Sequence, residues 1–371
     1  MRCSVFAISD LDFRREFRDS KSVFLERKIN RVGAIFLLYL MTVPTNVLVL
    51  GAFTEVWLSD FHLQRASITF IYWVSTLLVF IILNIFRQRY CSKKALYFLG
   101  VICWLFAFFS EKYIPVLNLF LLFLCFQWIG QGVLVELCRA HLFEQASQKR
   151  YTLFAGCLEA MGTLAVFMCP FIFLWLLQKM HWKSLFYLLG AFYLFMGMFW
   201  PVFRFEKEFL KLQGVWKEKR FWVANSLLYL PVIISSGIFF HLEKTCACLK
   251  IDLSYFCFYT LLQTILGGLL QAAFGGWIRE SYKRVRCLLL SLLFSQLSFC
   301  FSLFYISTWG KFIYVVTGAL GWGCFGILVD VLWKFLYPSD FVHAKRCLQL
   351  SVSVGFLANA LGPVLFYFLV R

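Results

Sequence analysis

The chain has 371 residues, of which 61% are hydrophobic and 15% charged. A water-soluble domain carries about 25% charged residues, so a soluble globular enzyme is excluded. The formal charge of +17 would point to nucleic acid in a soluble protein. Here the basic residues fall between long apolar runs, and the membrane reading wins.

Residues 1–31 are charged and lack an apolar core followed by a small-residue cleavage site. They read as a cytoplasmic N-terminal segment, not a cleavable signal. Eleven apolar runs follow, at 32–53, 66–86, 95–110, 116–137, 151–178, 184–203, 221–240, 253–274, 287–306, 312–333 and 347–370. Most approach the ~20 residues a helix needs to cross a bilayer. None contains Lys, Arg or His. Strand-like alternation is absent from them, and backbone satisfaction in lipid then leaves only helices. Residues 204–220 are strongly charged and divide six runs from five. The expected fold is an all-α polytopic membrane protein with about 11 transmembrane helices. Its parts are the segment 1–31, a six-helix bundle at 32–203, a cytoplasmic loop at 204–220 and a five-helix bundle at 221–371. The segments on the N-terminal side of the membrane hold 28 Lys and Arg, and the opposite ones hold 8. That asymmetry puts the N-terminus in the cytoplasm and Arg371 outside.

The two halves repeat. The fourth run ends Trp128-Ile-Gly-Gln-Gly132-Val-Leu-Val-Glu136-Leu, and the tenth ends Trp322-Gly-Cys-Phe-Gly326-Ile-Leu-Val-Asp330-Val, an offset of 194. Glu144 with Lys149-Arg150 matches Asp340 with Lys345-Arg346 at an offset of 196. Arg87, Tyr90 and Lys94 match Arg279, Tyr282 and Arg286 at an offset of 192. Trp, Gly, acid and basic pairs recurring in one order are not chance among Leu/Phe-rich helices. Six runs separate the copies, an even number, so the halves are parallel repeats about an axis along the membrane normal.

With these features the chain resembles the major facilitator superfamily (MFS). That family carries Gly-x-x-x-Asp-Arg-x-Gly-Arg-Arg between its second and third spans. Gly276-Trp-Ile-Arg-Glu280-Ser-Tyr-Lys-Arg284 keeps the Gly, the acid and a basic residue. Asn84-Ile-Phe-Arg-Gln88-Arg89-Tyr-Cys-Ser-Lys93-Lys94 keeps only the basic residues. The family usually has twelve spans; the run without a counterpart here is the sixth. The resemblance implies that runs 1, 4, 7 and 10 line a central cavity.

An ionisable side chain in lipid is expensive and normally faces a cavity or a partner. Glu159 is the only acid well inside a run. Thr152, Gly156, Glu159 and Thr163 are spaced 4, 3 and 4 and share one helix face. With no basic residue in any run, Glu159 is expected to lack a neutralising partner. It reads either as a proton-coupling group or as a hydrogen-bonded packing residue. Glu136 and Asp330, with Arg139 and Lys334 beside them, are candidate gating salt bridges; direct proton coupling at the two acids is the alternative. Tyr39, Thr42 and Asn46, Gln127 and Gln131, and Asn225 and Tyr229 are candidate cavity residues. Their other reading is interhelical hydrogen bonding.

The absences also restrict function. No cation in a run disfavours carriers of phosphates, which need fixed positive charge. His62, His141, His181, His241 and His343 all fall in loops, against an intramembrane metal or a His-dependent acyltransferase. Cys246 and Cys248 form a close pair with no second pair of ligands. No nucleotide-binding Gly-x-x-x-x-Gly-Lys occurs. The expectation is a secondary active transporter of the inner (plasma) membrane. It acts as a monomer without cofactor or nucleic acid, moving a small solute by alternating access coupled to protons. The rival is a non-transporting receptor or scaffold of the same fold.

Overall fold

A computed structural model describes residues 33, 35–40, 42–43, 53–88, 97–104, 115–145, 148–198, 214–241, 246–247, 251–278, 281–304 and 308–369. The elements among them are helical, in accord with the expected all-α class. The helices are α1 (Thr54–Asp60), α2 (Arg65–Gln88), α3 (Pro115–Gln127), α4 (Glu136–Gln145), α5 (Gln148–Leu177), α6 (Trp182–Met198), α7 (Lys219–Leu228), α8 (Leu230–Phe240), α9 (Leu253–Ile278), α10 (Tyr282–Phe304), α11 (Thr308–Leu336) and α12 (Phe341–Leu369). A π-helical segment, Trp128–Val135, joins α3 to α4 without a break. Among the described residues, eight helices are long and apolar enough to cross a membrane.

The helices overrun the apolar runs at their ends. The fourth run stops at residue 137, yet the helix continues to Gln145. An apolar run marks where side chains meet lipid; the helix persists wherever protein neighbours replace lipid around it. α10 shows the two surfaces. Leu290, Phe294, Leu297 and Phe301 recur at helical spacing and are exposed, as lipid-facing residues should be. Leu288, Leu292, Ser295 and Phe299 are buried on the other side.

In the N-terminal part, rings of Phe53, Trp57, Phe123, Phe173, Trp182 and Phe186 pack together mostly edge to face. They tie α1 to α3, α5 and α6. In the C-terminal part, α11 packs on α9 and α10, and α8 on α12. Glycines on α11 make room for neighbouring glutamines. Gln263, Gln296 and Gln271 occupy the places where side chains at Gly318, Gly321 and Gly326 would stand. The Gln271 amide donates to the Trp322 carbonyl at 3.0 Å.

The two halves meet along α5 with α9 and along α2 with α12. At the first contact a Cβ on Gly156 would stand 2.5 Å from the Gln271 carbonyl, and one on Gly275 2.5 Å from that of Thr152. Only small residues permit this approach.

In the segment 204–220 the described part docks on the bundle: Val215 is fully buried, and Tyr337 donates to Glu218 at 2.5 Å. Of the histidines read as loop residues, His141 lies within α4, His343 within α12, and His241, buried, at the end of α8 with Nε2 2.9 Å from the Pro363 carbonyl.

Candidate functional site

A cavity of about 140 Å³ lies between the halves. Tyr39, Thr42, Arg139, Glu159, Thr163, Tyr229, Trp322, Phe325, Phe356 and Asn359 are among its lining residues. The cavity draws on the helices of the first, fourth, fifth, seventh, tenth and eleventh runs, which include the four implied by the resemblance.

Backbone irregularities place three of these side chains. α7 ends at Leu228 and α8 starts at Leu230, leaving Tyr229 at φ −92° and ψ 1°. Pro231 has no N–H to continue the ladder, which accounts for the break. The break turns the Tyr229 ring into the cavity, over Gly355 of α12. Tyr39 stands likewise over Gly162 of α5, and the Thr42 hydroxyl closes the turn after it by donating to the Tyr39 carbonyl at 2.7 Å. The π segment carries Gly130 and Gly132, and its wider turns delay the rotation of the helix beyond it. Arg139 therefore points into the bundle.

The charges meet at the cavity's edge. Arg139 Nη2 donates to Glu159 Oε1 at 2.7 Å, and Tyr39 donates to the same oxygen at 2.7 Å. Arg139 Nη2 also lies 3.3 Å from the Tyr39 hydroxyl. Arg139 Nε stands 3.5 Å from Asp330 Oδ1, too far for a hydrogen bond. Asp330 is 1% exposed, and neither carboxylate oxygen has a hydrogen-bond partner among the described residues. Its main-chain carbonyl accepts from the Tyr151 hydroxyl at 2.9 Å. One guanidinium thus stands between two carboxylates, one from each half.

This overturns the expectation that Glu159 lacks a basic partner. Arg139 lies past the end of the apolar run, yet it closes a 24-residue membrane-length helix and is buried. A helix surrounded by protein can carry a cation there because carboxylates neutralise it.

Of the sequence candidates, Tyr39, Thr42, Tyr229, Arg139 and Glu159 come together, with Asp330 against Arg139. Glu136 is buried one turn back along α4. Lys334 lies over the Tyr151 ring, 4.6 Å from its centroid. Asn225 is away from the cavity lining; it donates to the Phe221 carbonyl and accepts from Ser351. Gln127 is buried off the cavity, and both its amide atoms lack partners among the described residues. Asn46 and the Gln131 side chain lie outside the described residues, as does Cys248.

Trp322, Phe325, Phe356 and Tyr151 were not singled out as site residues. One signal was present in the numbering. Tyr39 and Tyr229 are 190 residues apart, continuing the drift of 192, 194 and 196 along the chain. At the offset of 196, Glu159 corresponds to Gly355. The second half therefore keeps the tyrosine and replaces the acid with hydrogen.

No curated protein sequence matches the chain significantly. Solved structures match it over most of its length. The human organic anion transporter MFSD10 (TETRAN) has a TM-score of 0.64 at 14% identity, covering 91% of this chain and 92% of that one. The transporter FucP in the outward conformation, a fucose:proton symporter in E. coli, has a TM-score of 0.65 at 12% identity, with 92% and 91% covered. A bacterial homologue of the iron transporter ferroportin, outward-facing, has a TM-score of 0.65 at 13% identity, with 91% and 90% covered. At such identities the likeness is one of fold. The sequence profile of the Major Facilitator Superfamily matches residues 35–366. The chain is a multi-pass membrane protein that belongs to the Major Facilitator Superfamily, a family of transporters and not of enzymes.

Proposed function

We propose that the protein is a secondary active carrier that moves a small solute by alternating access and couples that movement to protons. The observation that carries this reading is the position of Arg139. It is held by Glu159 of its own half and faces Asp330 of the other, at the edge of a cavity between them. Contacts of this kind must break and reform as the halves rock. Two carboxylates against one guanidinium leave one excess negative charge in a buried place, and a proton is the simplest ion to cancel it. The Arg139 end of the cavity faces the cytoplasm in this reading, because the basic segments cluster on that side. The carrier works as a monomer in the inner (plasma) membrane.

Untargeted comparison of metabolites in expressing and control cells identifies the solute, and uptake by proteoliposomes under a pH gradient tests the coupling. The parent protein accumulates the solute. Glu159→Gln keeps the size of the side chain but cannot ionise; it remains inserted and loses proton-driven accumulation. A parent that moves nothing leaves a receptor or scaffold as the role. A Gln variant that accumulates solute as well as the parent shifts coupling to Asp330 or Glu136.

A further inference from the structure

The charge and walls of the cavity narrow the class of solute, on the reading that the cavity is the solute site. Among the described residues, Arg139 faces Asp330 and is itself held by Glu159. Around them stand Tyr39, Tyr151 and Tyr229, with Lys334 over the Tyr151 ring and Glu136 and Lys345 buried on α4 and α12. Ionised, the three groups in contact, Glu159, Asp330 and Arg139, sum to one negative charge, and among the described residues both Asp330 oxygens lack a hydrogen bond. The cavity is also walled by rings: Trp322 and Phe325 pack edge to face at 5.4 Å, and Tyr229 and Phe325 at 5.7 Å. Ring faces beside an excess negative charge favour a cation.

We propose that the cavity takes a small organic monocation, an amine with an apolar body, whose ammonium group replaces Arg139 on Glu159 while Arg139 closes onto Asp330. The exchange leaves Glu159 with one cation as before. It gives the bare Asp330 carboxylate its own partner, and the cluster becomes neutral. Arg139 needs to move by little, since its Nε already stands 3.5 Å from Asp330 Oδ1. A neutral solute would leave the excess charge in place. An anion would have to take Arg139 from the carboxylates and would raise the excess to two. The volume of about 140 Å³ matches engineered cavities of about 150 Å³ that hold benzene, so the body is compact.

The test compares solutes of one shape and different charge: benzylammonium, benzyl alcohol and benzoate, then isobutylammonium, isobutanol and isobutyrate. Binding to the purified full-length protein in detergent at neutral pH is measured by calorimetry. The ammonium member of at least one trio binds about tenfold tighter than its alcohol, and the carboxylate is weakest. Asp330→Asn, checked for folding by its elution profile, removes the excess charge and weakens ammonium binding about tenfold while leaving the alcohol unchanged. Carboxylates or alcohols that bind as well as the amines overturn the proposal, as does absence of ammonium binding up to about 10 mM. An Asp330→Asn variant that binds the amine undiminished also overturns it. Amine binding without uptake by proteoliposomes upholds the solute class and removes the carrier reading. Uptake of another solute with no preference for amines does the reverse.

Discussion

Arg139 is the residue on which the buried charges depend. Removing one partner of a buried ion pair costs about 3–5 kcal/mol, because the remaining charge has lost its neutralising group. Arg139→Ala strands both Glu159 and Asp330, so its thermal midpoint in detergent should fall well below that of the parent. Restoring neutrality by adding Asp330→Asn and Glu159→Gln should recover most of the loss, although it restores no contact of Arg139. If the triple variant is as unstable as Arg139→Ala, packing of the arginine stem is the larger effect. The sequence made Glu159 visible, since a lone acid in an apolar helix stands out. It hid the partner, because Arg139 lies two residues beyond the apolar run. A rule that ends a helix at its last apolar residue assigns such a cation to solvent.

At the scale of elements, most of the fold was legible and the irregular turns were not. Apolar runs located the membrane helices because lipid demands apolar side chains over a fixed thickness. The π segment at Trp128–Val135 and the break at Tyr229 change which face a helix presents, and neither alters hydropathy. Gln127 and Asn225 lie on runs 4 and 7, which the resemblance implies line the cavity, but membership of a run does not say which face a residue occupies, and both sit off the cavity lining. The polar stripe on α5 was read correctly as a face but not as a divided one. Glu159 and Thr163 line the cavity, while Gly156 supports α9. That division gives a test. A methyl at Gly156 would stand 2.5 Å from the Gln271 carbonyl, so Gly156→Ala forces the helices apart. Overpacking of this kind costs about 1–3 kcal/mol. A side chain added at Gly33 meets nothing within 4 Å, and Gly33→Ala should leave the thermal midpoint unchanged or raise it slightly. Equal midpoints for the two variants would mean that α5 and α9 yield without strain.

At the scale of the molecule, the question is how firmly the halves are closed at the Arg139 end. Among the described residues, two links to Asp330 cross between them there, beside the stacking of Lys334 over the Tyr151 ring and of Phe143 on Phe341. Arg139 faces Asp330 at 3.5 Å, a weak contact, and Tyr151 donates to the Asp330 carbonyl at 2.9 Å, a good one. Of these two, the tyrosine bond is the better formed, and it ties α5 to α11 while Arg139 reaches Asp330 from α4. A buried hydrogen bond of this type contributes about 1 kcal/mol net, which is roughly a fivefold change in the ratio of closed to open molecules. Tyr151→Phe keeps the ring under Lys334 and removes only the hydroxyl. Spin labels on Leu153 of α5 and Val342 of α12, both exposed and both near this end, report the gap between the halves. In a parent stripped of native cysteines, Tyr151→Phe should increase the long-distance population about fivefold. Asp330→Asn should change it less, because it leaves the main-chain acceptor of Tyr151 in place. If neither substitution moves the distance distribution, the closure at this end rests on packing, the glycine-lined contact of α5 with α9 and the Phe143–Phe341 stack included. In that case the polar links follow the rocking of the halves and do not hold it.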